Sequence, residues 1–105
     1  NSRVYGTYTD ASNYVRASLA CSTTQVTLAG QTAGTGADDI DVVLTPAGVG
    51  GVLLGAFFQQ LTEMTAPAAG ATNTARLYAE DNGSGKTRLV VKFATGAAQV
   101  LATEP

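Results

Sequence analysis

From Tyr14 to Cys21 apolar and polar side chains alternate one by one, and the same period of two returns along most of the chain. A period of two places successive side chains on opposite faces of an extended strand, whereas a helix needs its apolar residues three and four apart. Val15, Ala17, Leu19 and Cys21 therefore fall on one face, with Arg16 and Ser18 on the other. Gln25–Ala29 repeats the alternation with Val26 and Leu28 inward and Thr27 outward, after a tight connection at Ser22-Thr-Thr24. The spacing predicts a further strand over Ile40–Leu44, with Ile40, Val42 and Leu44 on one side, and Pro46 ends it. The chain is expected to be all-β.

Glycine marks where this pattern breaks. Gly30–Gly36 holds too much Gly and Thr for a strand interior and is expected to be a loop. Gly48–Gly55 is apolar and glycine-rich, a mixture that permits close approach between backbones. Ala56–Met64 reads as a short helix or a continued strand, and Thr65–Ala71 as a small-residue linker. After the linker a three-strand meander is expected. Arg76–Glu80, Thr87–Phe93 and Ala98–Thr103 are the strands, and Asn82-Gly83 and Thr95-Gly96 the turns. In its second strand Leu89, Val91 and Phe93 share one face, and Arg88, Val90 and Lys92 the other. The expected organisation is a β-strand region over 1–62, a linker over 63–73 and a C-terminal meander over 74–105.

With 105 residues, the chain is long enough for one small domain with a modest core. Charged residues make up 13% of it, about half the usual share for a soluble domain. So few charges suit a β-rich module whose faces are covered by something else. The six cations are Arg3, Arg16, Arg76, Lys86, Arg88 and Lys92. They are scattered, and the net charge is −2, which argues against a nucleic-acid footprint. The longest apolar run, Val49 to Phe58, is interrupted by three glycines and falls short of a membrane span of about 18 residues. No membrane insertion is expected, and Asn1 opens no signal-peptide pattern.

Catalytic chemistry finds little to work with. The chain has no histidine, which removes the commonest general base and metal ligand. Its one cysteine, Cys21, reads as a small buried hydrophobe. Gly83-Ser-Gly-Lys-Thr87 looks like the end of a phosphate-binding loop. The full pattern needs glycine where Glu80 stands, and it needs a helix where an alternating strand follows, so a hairpin turn is expected. The same turn carries the glycosylation triplet Asn82-Gly-Ser84, read more simply as the turn itself. Asp38, Asp39 and Asp41 are the one acidic cluster; their spacing does not match an EF-hand, and a solvated acidic turn is the commoner outcome. No catalytic residue, cofactor site or metal site is assigned. Tyr5, Tyr8 and Tyr14, with Asp10 and Asn13, are the candidate receptor contacts, since tyrosines among Asn, Asp and Ser make an adaptable binding surface. The same tyrosines also suit strands packed against a neighbouring chain, the reading we favour.

Two stretches carry a resemblance. Tyr8-Thr-Asp-Ala-Ser-Asn-Tyr14 with Arg16, then Ala33-Gly-Thr-Gly36 and Asp41-Val-Val-Leu44, resembles a module of tail-fibre and related structural proteins of tailed phages. Thr62–Pro67, Ala75–Thr87 and the closing Ala102-Thr-Glu-Pro105 resemble a C-terminal signature of phage and environmental viral structural proteins. Together these stretches cover most of the chain. Val15 departs from the pattern, standing where the family often has a charged residue. The resemblance implies an intertwined, homotrimeric β-structure at or near the end of a virion fibre. Its implied partners are its own copies, other virion proteins and a host surface glycan or protein, with no cofactor. Two other non-enzymatic readings compete with a structural fibre segment. One is a self-assembling extracellular filament or capsid decoration protein, and the other is a stand-alone carbohydrate-binding module.

Overall fold

A computed structural model describes residues 2–105. Its described residues contain no helix and six strands: β1 (Ser2–Asp10), β2 (Asn13–Cys21), β3 (Val26–Ala33), β4 (Ala75–Asp81), β5 (Thr87–Phe93) and β6 (Gln99–Thr103). They form two antiparallel three-stranded sheets, ordered β1-β2-β3 and β4-β5-β6. The chain divides into two compact units, Asn1–Leu53 and Leu54–Pro105, with one sheet in each.

In the first unit the register sets Ala17 beside Val4 and Gly30, and Leu19 beside Ser2 and Leu28. These residues make one apolar face, as the alternation in β2 requires. The opposite face carries Arg3, Ser18 and Ala29 in one row and Tyr5, Arg16 and Gln31 in the next. The apolar face is not a core. Leu19, Val26 and Leu28 are exposed, Val26 at 74%, whereas Ser18 on the polar face is buried at 4%. Expected inward positions thus lie open because the unit offers little to cover them, while the small Ser18 side chain is flanked on the central strand. Cys21 is exposed for the same reason, at the uncovered end of that apolar face, which corrects its expected burial.

Two element assignments change. Gly30–Ala33 belongs to β3, not to a loop, because Gly30 and Gln31 continue the ladder opposite Ala17 and Arg16. The absence of a side chain makes room for Ile40: a Cβ on Gly30 would stand 2.7 Å from Ile40 Cδ1, so that side chain would have to shift. The loop is confined to the following residues, where Gly34 takes φ of 58° and the Gly36 amide donates to the Ala33 carbonyl at 3.0 Å. Conversely, Ile40–Leu44 is not a strand. Its side chains border the apolar face, with Ile40 and Val42 reaching the space above Gly30, but its backbone joins no ladder. Ala56–Met64 forms neither a helix nor a continued strand; a helix that short is marginal without a packed face.

In the second unit the meander forms as the pattern predicts, and β5 pairs β4 from Ala75↔Phe93 to Asp81↔Thr87. The buried apolar residues are Tyr78 at 4%, Ala79 at 3% and Val90 at 1%. Residues 63–74 hold to this sheet. Glu63 makes a parallel bridge to Ala79, and the Met64 amide donates to the Ala79 carbonyl at 2.9 Å. Lys92 Nζ donates to the Pro67 carbonyl at 3.0 Å, and Arg76 Nη1 to the Ala68 carbonyl at 3.0 Å. Both cations project from the face that carries Tyr78 and Val90, so the small residues of this stretch lie as a strap over that face and help to bury it.

Candidate functional site

Tyr5 and Tyr8 are three residues apart, a spacing that would place them on opposite faces of a regular strand. A register shift at Gly6 returns Tyr8 to the side of Tyr5: Tyr5 pairs with Arg16, Thr7 with Val15, and Tyr8 with Tyr14. The bulge therefore gathers three tyrosines on one face. Their rings meet edge to face, Tyr5–Tyr8 at 5.0 Å and Tyr5–Tyr14 at 5.9 Å between centroids.

Arg16 ties the cluster together. Its Nη1 donates to the Tyr5 hydroxyl at 2.9 Å and its Nε to Gln31 Oε1 at 2.8 Å. The guanidinium carbon lies 4.1 Å from the Tyr14 ring centroid and 5.7 Å from that of Tyr5. The cluster thus holds its own cation, and Tyr5 and Tyr8 remain exposed. Chemically it offers aromatic surface, a phenol and an amide. Arg16 and Gln31 belong to the cluster although neither is among the candidate contacts that the sequence indicates. Their signal was the alternation itself, which puts Arg16 on the same face as Tyr14.

Asp10 and Asn13 serve the adjoining turn. Asp10 Oδ1 accepts from the Ser12 amide at 2.8 Å and from Asn13 Nδ2 at 2.9 Å. Those bonds, the Ser12 amide first, hold the Asp10 carboxyl below its ordinary 3.8. Asn13 Oδ1 accepts from the Thr35 amide at 2.9 Å and so links the β1–β2 turn to the loop after β3. These two side chains are committed to hydrogen bonds within the chain.

A groove of about 510 Å³ lies on the other face of this sheet, bordered by Val4, Ala17, Leu28 and Gly30 and by Ile40–Leu44. Its lining is mostly apolar. Asp38, Asp39 and Asp41 are all exposed, and no three metal-ligating side chains come together among the described residues.

The Gly83–Thr87 stretch is a hairpin turn and opens β5. Gly83 and Gly85 take φ of 90° and 78°. Asp81 Oδ2 accepts from the Gly83 amide at 2.9 Å and Asn82 Oδ1 from the Ser84 amide at 2.8 Å. Lys86 Nζ, which a phosphate site would need, donates to the Pro105 backbone oxygen at 2.8 Å. On the strapped face of this sheet Arg88 Nη2 lies 3.0 Å from Glu80 Oε2. Burial holds the neighbouring Tyr78 hydroxyl above its ordinary 10.0, and the Glu80 charge adds to the effect. No protein-family model, no curated protein and no solved structure matches the chain.

Proposed function

We propose that the chain is a non-catalytic structural module that assembles with copies of itself, as a segment of a trimeric virion fibre at or near its end. One observation carries the self-assembly: its core is a few residues around Tyr78, Ala79 and Val90, while Val26, Leu53 and Phe58 stand 74%, 89% and 83% exposed. The accessible surface is 8182 Å². Two separate compact bodies of half the 10.6 kDa mass would together expose about 6,600 Å². The excess of about 1,600 Å² is the scale of a standard-size interface between subunits.

The fibre and the virion rest on the resemblance of the Tyr8–Tyr14 and Ala75–Thr87 stretches, and they agree with the low charge and the all-β fold. In this reading the tyrosine cluster is the candidate contact to a host surface glycan or protein, through the exposed Tyr5 and Tyr8. Light scattering behind size exclusion on the purified chain tests the assembly. A trimer is the expected mass, and a stable monomer at micromolar concentration overturns it.

A further inference from the structure

Asn82 and Gly83 belong to the turn between β4 and β5, and the bonds that hold this turn also assemble the parts of an acyl transfer. Such chemistry needs a nucleophile with a base beside it and a carbonyl polarised by hydrogen-bond donors. The nucleophile is the Gly83 amide nitrogen. It donates to Asp81 Oδ2 at 2.9 Å, so a carboxylate is already placed to take its proton. Gly83 brings no side chain to hinder attack, and its φ of 90° is a conformation that glycine adopts without strain.

The electrophile is the Asn82 side-chain amide, whose Cγ closes a cyclic imide when the following residue's nitrogen attacks it. Its Oδ1 accepts from the Ser84 amide at 2.8 Å and from the Lys86 amide at 3.3 Å. Two N–H donors on one oxygen draw electrons from Cγ and stabilise the oxyanion that attack creates. They also distinguish Oδ1 from Nδ2, since an amide nitrogen accepts from neither. The Ser84 bond folds the side chain back over the Gly83 peptide, and Nδ2 points away from both donors. Asp81, Gly83 and Ser84 are exposed, so water reaches the turn. The other asparagines, Asn1, Asn13 and Asn73, precede Ser2, Tyr14 and Thr74, whose side chains crowd the equivalent nitrogen.

We propose that Asn82 is a site of self-modification, where the turn drives its own deamidation. The Gly83 nitrogen bonds to Asn82 Cγ as Asp81 takes its proton. The Cγ–Nδ2 bond then breaks, and the proton passes to the leaving nitrogen, which departs as ammonia. Water opens the imide at either carbonyl, leaving aspartate, or isoaspartate with its backbone routed through the former side chain. Either product places a new negative charge beside Asp81. Isoaspartate also lengthens the turn that the Asn82 amide closes on the Lys86 carbonyl at 2.8 Å, next to the last pair of the β4–β5 ladder, Asp81↔Thr87. The chemistry lies within the second unit and does not depend on self-assembly.

Incubation of the freshly purified full chain near neutral pH, followed by peptide mass spectrometry that separates aspartate from isoaspartate, tests the site. Conversion at Asn82 is expected to run several-fold faster in the folded chain than in the same chain unfolded in urea. A folded chain that converts no faster than the unfolded one overturns the proposal. Asp81→Asn keeps an acceptor of the same shape and removes the base. It is expected to slow the folded-state reaction on the order of tenfold or more, with circular dichroism confirming that the sheet persists. The pH profile gives a second readout, decided on the parent chain alone if the variant fails to fold. With Asp81 as the base the parent rate stays nearly flat across neutral pH, whereas an unassisted reaction rises in proportion to hydroxide. A parent rate that follows hydroxide overturns the role of Asp81.

Discussion

At the residue scale, Arg16 has the most partners of any side chain in the first unit. It donates to Tyr5 and Gln31 and lies over the Tyr14 ring, so it holds β1, β2 and β3 together on one face. Removing it leaves Gln31 and the Tyr5 hydroxyl short of a partner and the three rings without their cation. Arg16→Ala is expected to cost the first unit about 2 kcal/mol. Urea unfolding followed by tyrosine fluorescence measures this. Arg16→Lys should recover only part of the loss, since an ammonium cannot reproduce the two-pronged donation. A second residue-scale expectation concerns Asp10. Its carboxyl is held below 3.8, so the folded state favours the ionised form. The stability it contributes is present above 3.8 and is lost as pH falls through the depressed value. A carbon-detected NMR titration should place the Asp10 midpoint below 3.8, and Ser12 amide protection should fall over the same range.

At the scale of elements, Val90 is the best-buried side chain and lies on the central strand of the second sheet, opposite Tyr78 and Val100. Val90→Ala removes buried carbon that the strap cannot fully follow, and should cost about 2 kcal/mol in thermal or urea unfolding. The alternation in Thr87–Phe93 announced this strand, its turn and its partners. It did not announce which face would be buried, because that depends on the strap, whose Pro67 and Ala68 carbonyls receive Lys92 and Arg76. Tyr14–Cys21 was legible for the same reason and ambiguous in the same way: its expected inner face is the exposed one. Where alternation misled, it did so over hydrogen-bond partners. Ile40–Leu44 alternates as a strand should and has none, while Gly30–Ala33 looks like a loop and is laddered to β2. Period two reports that side chains part to two sides; it cannot report whether an edge lies alongside. The tyrosine cluster was legible as composition, but the bulge at Gly6 that assembles it was not, because one extra residue inverts a face without changing the pattern around it.

At the scale of the whole molecule, the two intrachain sheets and the apolar side chains that the single chain leaves exposed make separate contributions to stability. The sheets close within one chain, whereas on the proposed self-assembly exposed apolar residues such as Val26 leave water only when copies meet. Folding is then linked to association, and the melting temperature must rise with protein concentration, as for any equilibrium in which the folded form is the bound form. Gly55→Val separates this from an intrachain account. Within one chain the new side chain meets open space at an ordinary φ, so it should leave the melting temperature unchanged or raise it slightly by restricting the unfolded state. Where neighbouring copies of a symmetric oligomer approach that backbone, it intrudes on each of them at once. We expect Gly55→Val to dissociate the oligomer at concentrations where the parent chain is assembled, and to flatten the dependence of melting temperature on concentration. The β-sheet circular dichroism of the two intrachain sheets should persist. Calorimetry across a hundredfold dilution series of both proteins makes the comparison, and parallel, equally steep curves would show that Gly55 faces no other chain.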